Sequence, residues 1–360
     1  MNPEAKPFSL RDLAKLAGVS ASTVSLALNE SPKLPEATIQ RIKDLAKQHG
    51  YRRNPKLSRI LKETVNSRYK PTGEVIACLV TRQTRAQWNP ATPQFLAMQA
   101  RAREYGYEVE PFWFLEGGLS AQRANQILRS RGIVGLLVLP PPYALRHQGQ
   151  LTLQVEWERF CVVEVDDTIT DPVLHQVRHD HLSGMTRALR ELETLGYRRI
   201  GLCLNTATEL ATHHRWSTGY CYWNQLRGHR LQPLICEAYT PAALRRWLDD
   251  HRPDVVLSPG GELLTLLRSM GIAVPESLGY AALDLFGITA PEISGINQER
   301  EVQSGLAVDL LVTLLHRNAL GISPNPTCWT ASGRWHAGQT CVYQAHATEL
   351  APLDSLLWQA

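Results

Sequence analysis

The chain has 360 residues, 44% of them hydrophobic and 20% charged, with a formal net charge of +4. That length exceeds what one compact core holds and points to two or three folded units of about 100–200 residues each. The composition is ordinary for globular protein, and no apolar run approaches the roughly 20 residues that span a bilayer, which argues against membrane insertion.

The seven cysteines, Cys78, Cys161, Cys203, Cys221, Cys236, Cys328 and Cys341, are scattered and never spaced C-x-x-C. This speaks against a disulfide framework and against zinc, and neither metal nor cofactor is expected. The N-terminal stretch lacks the basic segment, long apolar core and small-residue cleavage site of an export signal, so a cytoplasmic location is expected. Charge is uneven along the chain: residues 1–70 hold 14 Lys plus Arg against 6 Asp plus Glu, a net of +8, whereas the remainder holds 24 against 28. A basic head on a mildly acidic body suits a polyanion partner, because cationic side chains gain affinity by releasing counterions condensed on nucleic acid.

Three short helical patterns open the chain. In the first, Ser9 stands at the N-cap, Leu10, Leu13, Ala14 and Ala17 recur at helical spacing, and Gly18 ends the run. In the second, Ser20 caps a helix whose Val24, Ala27 and Leu28 face inward while Ala21, Ser22, Ser25 and Leu26 point outward. The third opens at Leu34-Pro35-Glu36, buries Ile39, Ile42, Leu45 and Ala46, and stops at Gly50. Helix, tight turn, helix is the helix-turn-helix pattern.

The run LRDLAKLAGVSASTVSLALNESPKLPEATIQRIKDLAKQHGYRRNP resembles the head of the lactose-repressor (LacI) family, including the AGVS turn, the TVS core and the GYRRNP exit. The resemblance implies that the helix from Ser20 to Leu28 lies in the DNA major groove, with Ala21, Ser22 and Leu26 at base-reading positions. It also implies phosphate contacts from Ser9, Ser20, Thr23, Ser25, Asn29 and Thr38. Where the family often carries Arg, this chain has Leu26, so the bidentate reading of guanine is absent; Leu26 can instead pack on a thymine methyl and Ser22 can donate or accept, so the family's base preference does not transfer. The segment from Arg52 to Lys62 corresponds to the family's hinge helix, which orders on the operator; Ile60 or Leu61 is then the apolar wedge in the minor groove.

From Glu74 onward short apolar runs alternate with amphipathic helices. Strands are expected at Val75–Val80, Tyr107–Phe114, Gly132–Leu139, Arg199–Leu204 and Val255–Leu257. Helices are expected at Pro93–Tyr105, Ser120–Arg131, Thr212–Leu226 and Leu244–His251. Such alternation implies parallel sheets covered by helices on both faces, and a body this long favours two lobes. GYRRIGLCL, Arg215-xxx-Gly219-Tyr220, LGYAALD and SGINQEREVQSGLAVDLLVTLL resemble the type I periplasmic-binding-protein-like sensor of the same family.

The expected fold is therefore an all-α helix-turn-helix head (1–52), a hinge and linker (53–71), a two-lobe α/β sensor (72–343) and a tail (344–360). Lobe one is expected over about 72–167 and 290–322, and lobe two over about 168–289 and 323–343. Ligands of open α/β sheets bind at strand C-terminal ends, which makes the cleft between the lobes the sensing site. The resemblance assigns Arg215 and Asp284 to effector contacts, a guanidinium fork and a hydroxyl acceptor. Thr81 follows the first strand, and Trp88 and Phe95 offer ring faces on which sugars stack.

The histidines His175, His179, His181, His213 and His214 carry no completing Cys or acidic set for a metal. Ser258-Pro259-Gly260-Gly261-Glu262 lacks the Lys-Ser/Thr pair of a phosphate loop and reads as a turn, and no G-x-S-x-G elbow occurs. The expected function is a LacI-type regulator, a repressor by family default. It acts as a homodimer on a pseudo-palindromic double-stranded operator under control of a carbohydrate-like effector. No leucine heptads follow Gln339 to build a tetramer. The alternative is an enzyme or solute-binding protein carrying an accessory DNA-binding head.

Overall fold

The structure is a computed structural model that describes residues 10–28, 34–49, 74–81, 84–114, 119–140, 153–169, 171–286 and 292–344; of residues 10–12, 21, 22, 25 and 26 it describes the backbone alone. The chain forms two compact units, Met1–Pro71 and Thr72–Ala360.

In the first unit α1 (Leu10–Ala17), α2 (Ala21–Leu28) and α3 (Glu36–Gln48) enclose a small core. Leu13, Ala14, Ala17, Val24, Ala27, Ile42 and Ala46 are buried, and Val19, Leu28, Leu34, Ile39 and Leu45 close its rim. Gly18 turns the chain between α1 and α2 at φ +65°, a conformation that costs glycine little. The Ser20 hydroxyl accepts from the Thr23 amide at 3.1 Å, one of the orphan donors at the start of α2. Pro35 stands just before α3, and its carbonyl accepts from the Thr38 and Ile39 amides.

The second unit contains two six-stranded sheets. In chain order its elements begin with β1 (Glu74–Val80), α4 (Pro93–Glu104), β2 (Tyr107–Trp113), α5 (Ala121–Ser130), β3 (Gly135–Val138), β4 (Cys161–Val165) and β5 (His175–His179). Then come α6 (His181–Thr194), β6 (Ile200–Asn205), α7 (Thr206–Ala211), α8 (Arg215–Arg227), β7 (Leu234–Cys236), α9 (Pro241–His251) and β8 (Val255–Ser258). The unit ends with α10 (Glu262–Ser269), β9 (Gly279–Ala282), β10 (Ser294–Asn297), α11 (Arg300–Arg317), β11 (Cys328–Ala331) and β12 (Arg334–His336).

The first sheet runs β11-β5-β4-β3-β1-β2 and is parallel throughout, with Ile76 level with Gly135 and Val163 level with His175. The second runs β12-β10-β9-β8-β6-β7, parallel except where β12 returns against β10. Every residue of β3, β4, β8 and β9 is buried, as expected of strands covered by helices on both faces.

The chain passes between the sheets at Asp180, at Gln298–Glu299 and at Ser332–Gly333. All three crossings lie further along the chain than the breaks expected after 167, 289 and 322. The polar turn after β4 reads as a boundary, yet His175–His179 then adds β5 to the first sheet beside β4. Likewise Ser294–Asn297 still pairs with β9 in the second sheet, and Cys328–Ala331 returns to β5 in the first. The helix expected over 212–226 is α8, which opens only at Arg215 because His213 and His214 both take left-handed backbone; the short α7 before them was not expected. No helix among the described residues is long and apolar enough to cross a membrane.

Candidate effector cleft and DNA-reading head

Strand C-terminal ends in a doubly wound sheet present loops and helix N-termini to a common crevice, and the two lobes do this face to face. A cavity of about 510 Å³ lies there, within the usual range for small-molecule sites. Lobe one contributes Trp88, Phe95 and Met98 after β1, Leu139 and Pro140 after β3, and Val165 and Asp166 at the end of β4. Lobe two contributes Asn205 at the end of β6, Tyr239 after β7, Ser258–Glu262 from the end of β8 onward, and Asp284 and Phe286 after β9. Arg300, Gln303 and Ser304 enter from the first turns of α11.

The polar wall centres on an ion pair: Arg300 Nη2 lies 2.5 Å from Asp284 Oδ2. The other oxygen, Asp284 Oδ1, accepts from the Phe286 amide at 2.9 Å, and the Phe286 ring centroid lies 4.5 Å from the guanidinium carbon. Donor, acceptor and ring thus hold one another in place, with little rotamer freedom left to lose on binding. On the opposite wall Trp88 packs edge-on against Phe95 at 5.2 Å and Trp113 at 6.2 Å. Some polar groups of the wall are already engaged: Asn205 caps α7 through the Thr208 amide, and the Tyr239 hydroxyl donates to the Cys203 carbonyl. Asp166 takes left-handed backbone at φ 79°, an unfavourable conformation for a residue with a Cβ, at the very end of β4.

Trp88, Phe95 and Asp284 of the expected effector residues line this cavity; Thr81 and Arg215 do not. Thr81 is buried and donates to the Leu139 carbonyl at 3.0 Å, tying the end of β1 to that of β3. Arg215 is drawn to Asp167, with Nη2 2.5 Å from Oδ2, an ion pair that joins lobe two to lobe one. Arg178 Nε stands 3.5 Å from the same carboxylate, and His213 Nε2 lies 3.2 Å from the Asp167 carbonyl oxygen. Burial and the neighbouring Asp166 charge push the Asp167 carboxyl up, and Arg215 pulls it down. The same loop is anchored by Glu164, whose buried carboxylate accepts from the Thr168 amide and hydroxyl and from the Ile169 amide.

The residues that sequence reasoning missed are Arg300, Phe286, Asn205, Tyr239 and the Ser258–Glu262 loop, read as a plain turn. Each stands at or after a strand end or opens a helix, and the strand-end rule alone selects them once β6 to β10 are placed. Three of the histidines are engaged locally: His175 Nδ1 with Thr327, His179 Nδ1 with the Ala331 carbonyl, and His214 Nδ1 with Glu209.

In the head, Ser20 is exposed, and Thr23 and Thr38 stand in the first turns of α2 and α3, Thr23 half-buried. The backbone of Ala21, Ser22, Ser25 and Leu26 runs along α2. Ser9, Asn29, Ile60 and Leu61 lie outside the described residues.

A helix-turn-helix unit followed in one chain by a two-lobe α/β binding unit defines the architecture of a DNA-binding regulator with its own sensor. Residues 9–54 match the family of bacterial regulatory proteins of the lacI type, and residues 189–341 match the periplasmic binding protein-like domain. The HTH-type transcriptional repressor PurR of Photobacterium profundum is 23% identical over 322 residues, which cover 84% of this chain and 91% of that protein. The HTH-type transcriptional regulator PtxS of Pseudomonas plecoglossicida is 25% identical, covering 87% and 90%. Among solved structures, a complex of the transcriptional regulator CelR with cellobiose superposes with a TM-score of 0.54 at 20% identity, covering 93% of this chain and all of that one. The lac repressor dimer bound to operator and the anti-inducer ONPF gives 0.52 at 16% identity, covering 94% and 100%. With a lacI-type match in the head and a periplasmic-binding-protein-like match in the body, the chain is a LacI-type DNA-binding transcription regulator.

Proposed function

We propose that this regulator is a cytoplasmic repressor, associated with the nucleoid, whose affinity for a pseudo-palindromic operator is set by a carbohydrate or carbohydrate derivative held between the lobes. The observation that carries the effector reading is the Asp284–Arg300 pair beside Phe286, facing Trp88 across the cavity. A carboxylate that accepts and a guanidinium that donates, side by side, match the two hydroxyls of a vicinal diol, and flanking ring faces suit the apolar C–H face of a sugar. The similarity to a regulator solved with cellobiose points the same way.

On the DNA side, two copies of α2 enter successive major grooves of the operator as a homodimer. Ala21, Ser22 and Leu26 meet base edges. Ser9, Ser20, Thr23, Ser25, Asn29 and Thr38 bond phosphates, and Ile60 or Leu61 wedges the minor groove. Effector binding changes the lobe angle and with it the spacing of the two hinges, which links sensor occupancy to operator affinity.

The test is a thermal-shift screen of the full chain against free sugars and sugar acids, followed by footprinting on genomic fragments with and without any hit. A ligand of the native cleft raises the melting temperature by mass action, and the same compound must change operator protection. A sugar that stabilises the chain yet leaves DNA protection unaltered at every concentration sinks the proposed control.

A further inference from the structure

Behind the effector cavity, where the chain first passes from lobe one to lobe two, three aromatic rings meet. His179 closes β5, His181 opens α6, and Trp216 sits in the first turn of α8. Their relative exposures are 2%, 6% and 2%, and the His181 ring lies 5.2 Å from each of the other two. Each ring keeps one buried nitrogen without a hydrogen-bond partner: His179 Nε2, His181 Nδ1 and Trp216 Nε1. All three rings line one chamber of about 10 Å³, and Asp166, Asp284, Arg300 and Gln303 belong both to its wall and to that of the effector cavity.

Buried polar atoms left without a partner cost about 1–3 kcal/mol each, so three on rings that share one chamber favour an occupant. Its size is that of a single oxygen, because about 10–15 Å³ of such volume accommodates one water molecule. Its hydrogen-bonding character follows from the rings. His179 Nδ1 lies 3.1 Å from the Ala331 carbonyl oxygen, which only accepts, so the proton resides on Nδ1 and Nε2 offers a lone pair. Burial pushes His179 down to about 4 and His181 to about 3, which keeps both rings neutral at physiological pH. The Trp216 indole nitrogen only donates. The occupant must therefore donate to an imidazole and accept from an indole. An ammonium fails the second requirement, a carboxylate fails the first, and a hydroxyl oxygen meets both. The His179 ring is closely packed on two sides: a Cβ on Gly184 would come within 2.5 Å of its Nε2, and one on Gly333 within 2.9 Å of its Cε1.

We propose that this chamber is a binding subsite for one neutral hydroxyl-type oxygen, supplied by a water molecule or by a hydroxyl of the bound effector, linking the cleft to the crossing between the lobes. The effector source rests on the carbohydrate reading of the cleft; the water source does not. Since His179 belongs to lobe one and Trp216 to lobe two, an oxygen bonded to both adds a contact that depends on the lobe angle.

The test uses full-length protein with nitrogen-15 tryptophan and histidine, and water itself as the first probe. The Trp216 indole signal is identified by its loss in Trp216→Phe. In the ligand-free wild type, that indole proton is expected to show a cross-relaxation peak with long-lived water. The His179 Nε2 chemical shift is expected to be that of an accepting nitrogen, a reading that requires no variant to fold. An indole without a water peak together with an Nε2 shift of an unbonded lone pair overturns the proposal. Glucose, ribose and xylose are then added singly. A water peak that persists with sugar bound assigns the oxygen to water. Its disappearance, with about tenfold weaker sugar binding by Trp216→Phe, assigns it to a sugar hydroxyl. If no sugar binds while the water peak is present, the carbohydrate reading fails and the subsite stands.

Discussion

At the scale of single residues, one tight constraint in the sensor falls on a glycine beside the first crossing. The first crossing between lobes packs the His179 ring edge against the backbone of α6, and a methyl group at Gly184 would lie 2.5 Å from Nε2, inside any normal contact. His179 is held on its other side by the Ala331 carbonyl and by Gly333, so neither partner has room to move. Gly184→Ala is therefore expected to destabilise the sensor by about 1–3 kcal/mol, the usual effect of overpacking a filled interior. Gly260→Ala is the matched control, because nothing lies within 4 Å of its hypothetical Cβ and its φ is ordinary; its effect should stay within about 0.5 kcal/mol. Urea unfolding of both variants decides the matter, and equal midpoints contradict the packing argument. Residue-level reading of the sequence was least successful at Arg215. Its motif marks a residue that does bridge the lobes, but its direction depends on Asp167, a neighbour from the other lobe that no local pattern reveals.

At the scale of elements, α2 depends on one hydroxyl that carries two assigned roles. Ser20 accepts from the Thr23 amide as an N-cap, and by family likeness it also contacts phosphate. Two substitutions separate these roles. Ser20→Ala removes the cap and should cost about 1 kcal/mol of stability in the head. Ser20→Asp keeps a good capping oxygen but places a negative charge against the DNA backbone. It should melt close to wild type, yet bind duplex DNA markedly more weakly at low salt, where charge repulsion is least screened. Circular dichroism melting alongside gel-shift titration reads both effects, and wild-type DNA affinity in Ser20→Asp removes Ser20 from the phosphate-contacting set. The elements were also where the sequence was most legible. Helical spacing placed the buried faces of the head, and apolar runs placed β1, β2, β3, β6 and β8. Three of the strands it did not delimit carry other signals: β5 reads His-Gln-Val-Arg-His, β7 is only Leu234–Cys236, and β11 is exposed over most of its length. Such strands are fixed by pairing with β4, β6 and β5 rather than by their own hydrophobicity, so the lobe crossings that depend on them were misplaced.

At the scale of the whole sensor, the crossing region makes stability depend on pH in a direction that can be worked out. His179 and His181 are pushed down to about 4 and about 3 by burial, against about 6.5 in an unfolded chain. The charges facing them are mixed, with Asp166, Asp180 and Asp284 favouring protonation and Arg178, Arg215 and Arg300 opposing it, so burial decides. Because the unfolded chain takes up these protons first, the stability associated with the neutral rings is complete above about pH 6.5. It drains away as pH falls toward the folded values. Each ring contributes a slope of up to about 1.4 kcal/mol per pH unit in that window. Glu164 and Asp167, both raised by burial, titrate in the opposite sense and obscure the total. The difference between wild type and His181→Phe removes them, since both proteins retain those carboxyls. Whatever His181→Phe costs at pH 7.5, its deficit should shrink from pH 6.5 to 5 with a slope that approaches about 1.4 kcal/mol per unit, as measured by denaturant unfolding at each pH. A deficit that stays constant over that range would mean that His181 titrates alike in the folded and unfolded chain. The ring would then be open to bulk solvent, and the burial that encloses it between cleft and crossing would not hold.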